Sequence, residues 1–149
     1  MNRDHRKLKV FHLADDLVVD VYRCTRSFPI EERFGLQAQI RRATVSVPTN
    51  IVEGCARKTL KDYLYFMNIA LASASEVRYL LQLSRRLGFL SDTTQPELVR
   101  RFDELIRSLH NLIAALDAKP AQVMRSSRRP KPEARSPMPN PEPQCRQPQ

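Results

Sequence analysis

The chain has 149 residues, with 25 Lys and Arg against 16 Asp and Glu, a formal net charge of +9 and a pI near 10.0. That length is one domain's worth and can bury a sizeable core, while the basic balance favours acidic partners, of which nucleic acid is the commonest. Cys24, Cys55 and Cys145 are odd in number and share no ligand spacing, which argues against disulfides and zinc and for a reducing cytoplasm; no apolar run reaches the roughly 18 residues of a membrane span, and the charged start MNRDHRKLKV has no apolar stretch behind it to make a signal peptide.

Composition divides the chain. Residues 120–149 hold eight of the eleven prolines and few large apolar residues. Such a segment cannot offset its ordering entropy by burial. We therefore expect an N-terminal extension (1–8), a folded body (9–118) and a disordered, Pro/Arg-rich tail (119–149). Up to residue 119 there are 19 basic and 14 acidic side chains, and beyond it 6 and 2. The basic excess is spread over both parts.

The first helix is predicted from about Lys9 to Ser27. Val10, Ala14, Leu17, Val21 and Cys24 step by four and three, and Asp15, Asp16, Asp20 and Arg23 mark a wet face. Pro29 ends it, because the residue before a proline is pushed out of the helical region.

The second helix is predicted over Leu36–Arg57, and at about 100° per residue it has three stripes. Leu36, Ile40, Ala43, Val47, Ile51 and Gly54 share one arc. Gln39, Arg42, Ser46, Asn50, Glu53 and Arg57 share the next, with Ala38, Val45 and Val52 on its other flank. A polar stripe between two apolar ones is either a buried hydrogen-bonding seam or a site, and the seam is the plainer reading. Pro48 removes one backbone hydrogen bond and should bend the helix.

The third helix is predicted from a capping sequence at Thr59–Asp62 to near Gly88. Tyr63, Met67, Ala70, Ala74, Val77 and Leu81 form its main stripe, and Ile69, Leu80, Leu83 and Leu87 lie behind. A helix apolar on most sides suggests self-association. The fourth begins with the capping box Thr94-Gln-Pro-Glu97 and continues through Leu98, Phe102, Leu105, Leu109, Leu112 and Leu116, a bundle seam that Pro120 should close. Each of Gly35, Gly54 and Gly88 falls near a proposed helix boundary. The fold class expected is all-α, an antiparallel up-down-up-down four-helix bundle.

Phe28-Pro29, Glu32-Arg33-Phe34-Gly35-Leu36, Gln39-Ile40-Arg41-Arg42-Ala43, Ser46-Val47-Pro48, Asn50-Ile51-Val52-Glu53-Gly54, Arg57 and Ile69-Ala70-Leu71-Ala72-Ser73-Ala74-Ser75-Glu76 resemble the signature of the 23S rRNA intervening-sequence four-helix-bundle proteins. The resemblance covers residues 10–117. It implies a four-helix bundle that assembles as a pentameric ring. A related group serves diversity-generating retroelements as accessory protein, binding a reverse transcriptase and nucleic acid. No catalytic residue is implied. Ala72 stands where the family usually has Gly, and Arg78 where a second acidic residue is common; the first would separate close helices slightly, the second would change the charge beside Glu76.

The functional expectation is a non-enzymatic, homo-oligomeric protein that binds nucleic acid through Arg41, Arg42, Arg57, Lys58 and Lys61. Gln39, Ser46, Pro48, Asn50, Glu53 and Gly54 form the structural and assembly motif, and Arg42 could serve either group. The alternative is a scaffold that binds another protein, such as a reverse transcriptase. An enzyme is disfavoured: Arg107 and His110 have too few residues between them for the Arg–His pair of helical ribonucleases of the HEPN class. Glu53 and Glu76 could pair across helices, but Glu53 with Arg57 has the spacing of an ordinary helical ion pair. No metal, cofactor or small-molecule substrate is expected.

Overall fold

The four-three spacing of Val10, Ala14, Leu17 and Val21 becomes α1, Lys9–Cys24, with all four side chains buried. In the computed structural model, which describes residues 3–126 with side chains through residue 118, α1 gives way to a 3-10 turn, Thr25–Ser27, before Phe28 turns extended ahead of Pro29. A second 3-10 turn, Ile30–Glu32, leads into α2, Leu36–Ala56. The Glu32 carboxylate accepts the Leu36 amide hydrogen at 2.8 Å, which serves an orphan donor at the start of α2.

α3 spans Leu60–Arg86. The Thr59 hydroxyl oxygen accepts the Asp62 amide at 3.0 Å, so the expected cap is present. Past the end of α3, Gly88 sits at φ 76°, the left-handed position that favours glycine. α4 spans Thr94–Ser126. Its start differs from the expected box: Ser91, not Thr94, supplies the cap, its hydroxyl accepting the Thr94 amide at 3.1 Å. Its end differs too, since Pro120 lies within the helix rather than closing it. The expected tail beyond Ser126 lies outside the described residues.

Each helix packs on two others, α1 on α2, α2 on α3, α3 on α4 and α4 on α1, with the α2–α3 interface the most extensive. Between α1 and α2, Tyr22 meets Arg41, and Arg3, in the segment just ahead of α1, reaches Arg57 at the end of α2. Across α2–α3, Ser46 meets Ser73 and Gln39 meets Glu76. Across α3–α4, Arg78 pairs with Asp103 and Arg85 with Asp92. In each pair residue numbers rise along one helix as they fall along its neighbour. Leu17, Ile40, Ile51, Met67, Leu81, Phe102, Leu105 and Leu109 fill the centre, all from the apolar stripes. The described residues form a helical bundle without strands.

Four sequence expectations change. Asp20, assigned to the wet face of α1, is half-buried and pairs with Arg101 of α4. The apolar surplus of α3 is largely covered by α2 and α4: Leu80 is buried, Leu64 and Leu71 pack against the core, and Tyr65, Tyr79 and Leu87 stay exposed. Ala72 is exposed, so its methyl separates no helices within the bundle. Arg78 faces Asp103 of α4 at 2.5 Å, away from Glu76, because residues two apart point in different directions on a helix.

Candidate nucleic-acid interface and the polar seam

The polar stripe of α2 lies along its outer boundary with α3. The Ser46 and Ser73 hydroxyls are 2.9 Å apart. The Asn50 amide donates to the Ser46 carbonyl at 2.7 Å and to its hydroxyl at 3.0 Å. Gln39 donates to the Glu76 carboxylate at 2.5 Å, and Arg42 donates to the Gln39 carbonyl oxygen at 2.7 Å. These side chains form a hydrogen-bonded seam between helices, half-buried at Ser46 and Asn50 and open to solvent at Arg42 and Glu76. Glu53 departs from the pattern: it is exposed and pairs with Arg57 on its own helix.

The register of the stripe survives Pro48. α2 runs unbroken through Pro48, and Thr44, Thr49 and Asn50 each donate to the carbonyl four residues earlier, at 2.7, 2.8 and 2.7 Å, back-bonds of the kind that accompany a bend in a helix. Pro48 itself is buried. Gly54 is not a helix boundary but a point of close approach. A Cβ there would lie 2.8 Å from Met67 Cε, 3.0 Å from Phe66 Cβ and 3.2 Å from Tyr63 Cδ2.

The five expected nucleic-acid residues fall in two places. Arg57, Lys58 and Lys61 are exposed at the turn from α2 to α3, where Arg3 docks by donating to the Arg57 carbonyl at 3.1 Å. The Arg3 and Arg57 guanidiniums lie 4.5 Å from the Tyr63 and Phe66 ring centres, within cation–π range. Arg41 and Arg42 lie in the other half of α2. Arg42 is some fifteen residues from Arg57, about 22 Å along the helix. One continuous patch of these five is therefore excluded within a single chain.

Arg41 is more constrained than its sequence suggested. Its Nε donates to Thr25 Oγ1 at 2.9 Å and an Nη to the Tyr22 carbonyl at 3.3 Å, and it lies 4.7 Å from the Tyr22 ring centre. Thr25, fully buried, is the residue the sequence reading missed. Its hydroxyl donates to the Val21 carbonyl at 2.8 Å and accepts from Arg41, while its carbonyl accepts from Gln37. A threonine at a predicted helix end carries no local sign of such a role.

Glu53 and Glu76 do not make a carboxylate pair. Glu76 is level with Gln39, fourteen residues or about 21 Å from Glu53 along α2. Among the described residues no group of three His, Cys, Asp or Glu is placed to hold a metal ion. Burial pushes the Cys24 thiol up to about 11 and the Tyr63 hydroxyl up to about 12. Both are protonated at neutral pH, so neither is an activated nucleophile. No described helix is long and apolar enough to cross a membrane.

The model of the 23S rRNA-intervening sequence protein family matches residues 6–111, and the chain belongs to that family. Among solved structures, the chain is similar to a protein of unknown function from the S23 ribosomal protein family of Bacteroides thetaiotaomicron. That likeness has a TM-score of 0.66 at 24% identity and covers 70% of this chain and 95% of the other, which shows a shared fold. No curated protein matches.

Proposed function

We propose that this chain is a non-enzymatic, cytoplasmic homo-oligomer, a pentameric ring, that binds nucleic acid, RNA foremost, through basic side chains. The observation that carries the binding reading is the gathering of cations at one end of the bundle. Arg3, Arg57, Lys58 and Lys61 are contributed there by the N-terminal segment and the α2–α3 turn. Among the described residues Lys58 and Lys61 have no ion-pair partner, while Arg57 shares its charge with Glu53. Exposed lysines of this kind neutralise phosphates and release counterions, giving binding that depends on salt and little on sequence.

Self-association is supported by apolar side chains left outward on neighbouring helices, Val45 and Val52 on α2 and Tyr65 and Tyr79 on α3. The same side chains would serve the second reading, a scaffold docked on another protein such as a reverse transcriptase.

A salt titration tests the binding reading. Fluorescence anisotropy with a single-stranded RNA should show affinity falling steeply between about 50 and 200 mM salt. Replacing Arg57, Lys58 and Lys61 by Gln should make the log–log slope shallower by about 2, near 0.7 per charge removed. Affinity that is independent of salt would overturn the reading.

A further inference from the structure

Arg41 and Arg42 are far from the cationic end of the bundle, yet they border a cleft of their own. It lies between the last turn of α1 and the first turns of α2, has a volume of about 630 Å³, and is lined by Tyr22, Arg33, Phe34, Gln37, Arg41 and Arg42 together with two small apolar side chains. The volume is in the range of small-molecule sites. Three of these side chains are guanidiniums and none is a carboxylate. Acids around it have partners of their own: Glu32 accepts the Leu36 amide, Asp20 pairs with Arg101, and Glu76, which borders a neighbouring recess with Arg42, accepts from Gln39.

Two features distinguish the cleft from a merely basic surface. Phe34 is 88% exposed, an unusual position for a phenylalanine ring. The Arg33 guanidinium lies 5.6 Å from its ring centre, so a flat apolar face and a cation are presented side by side. Arg41, in contrast, is held in place by Thr25, the Tyr22 carbonyl and the Tyr22 ring. Those two hydrogen bonds use two of its five N–H donors. Three remain on a group that loses little freedom when it binds, which suits recognition of a planar or tetrahedral oxyanion.

We propose that this cleft takes one unstacked nucleotide of a single strand, its base lying on Phe34 and its phosphate meeting Arg33, Arg41 and Arg42; this rests on the nucleic-acid reading above and gives it a recognition element. A duplex would engage only the phosphate contacts, because its bases are stacked on one another and cannot reach Phe34.

The test uses the full chain and two fluorescent probes, a single-stranded RNA oligonucleotide and a blunt duplex of the same length, at one salt concentration. The wild type should prefer the single strand. Phe34→Ala should weaken single-strand binding roughly 5- to 100-fold and leave duplex binding unchanged, and Phe34→Trp should restore it. The exposure of Phe34 makes loss of folding an unsuitable explanation, and a circular dichroism melt of the variant checks it. If Phe34→Ala binds the single strand as the wild type does, while the Arg57, Lys58 and Lys61 triple variant loses affinity, the cleft proposal is wrong and the nucleic-acid reading stands. If the wild type binds neither probe, both fall. Displacement of the single strand by poly-glutamate, equally from wild type and Phe34→Ala, would also overturn base recognition, leaving a general anion site.

Discussion

Asn50 and Glu53 are three residues apart on one stripe of α2, and the structure gives them unequal roles. Asn50 is half-buried and bonds both the carbonyl and hydroxyl of Ser46, which in turn meets Ser73 of α3. Glu53 is exposed and pairs only with Arg57. Asn50→Ala should therefore lower stability by about 1–2 kcal/mol, since it removes hydrogen bonds inside a network. Glu53→Ala should change it by about 0.5 kcal/mol or less, as for an exposed helical pair. Urea melts of both variants separate the cases, and equal losses would contradict the assignment of Asn50 to the seam. The stripe was legible from spacing alone because helical geometry fixes which residues share a face. Its partners Ser73 and Glu76 were not, because they come from another helix.

Among the elements, α2 shows best how a local rule can be right about position and wrong about cause. Gly54 lies near the helix end, where a glycine usually marks a cap, but α2 continues to Ala56 and the glycine admits α3. Gly54→Ala would gain roughly 1 kcal/mol of helix propensity and lose more to overpacking, about 1–3 kcal/mol, because Phe66 Cβ is held by the backbone of α3 and Met67 is fully buried. A lowered melting temperature is the expected result; a raised one would mean that α3 gives way without cost. Helix starts elsewhere followed the sequence closely, whereas α4 runs past Pro120 to Ser126. Thr59, Gly35 and Gly88 act through their own backbone or first turn, so they could be read one residue at a time. α4 starts at Thr94 as expected, but its cap differs, because Ser91, Thr93 and Thr94 are all competent caps and the turn geometry selects Ser91.

For the whole molecule, the exposed residues of α2 and α3 bear on assembly. Light scattering at micromolar concentration should give a mass several times that of the 17.2 kDa chain, and a clean monomer would sink the homo-oligomer reading. Amphipathic spacing, capping residues and the placement of Pro29 were enough by themselves to determine four helices, their approximate limits and most of the core, since each depends on interactions within a turn or on a repeat of 3.6 residues. The family signature was equally a property of the sequence. Tertiary structure alone decided that the basic residues divide into a cationic end and a separate cleft, that Arg41 is anchored on Thr25 and Tyr22, and that Phe34 stands outside the core beside three arginines. The physical reason is range: a helix wheel records neighbours within about two turns, whereas a site is made of side chains whose proximity is created only when helices pack.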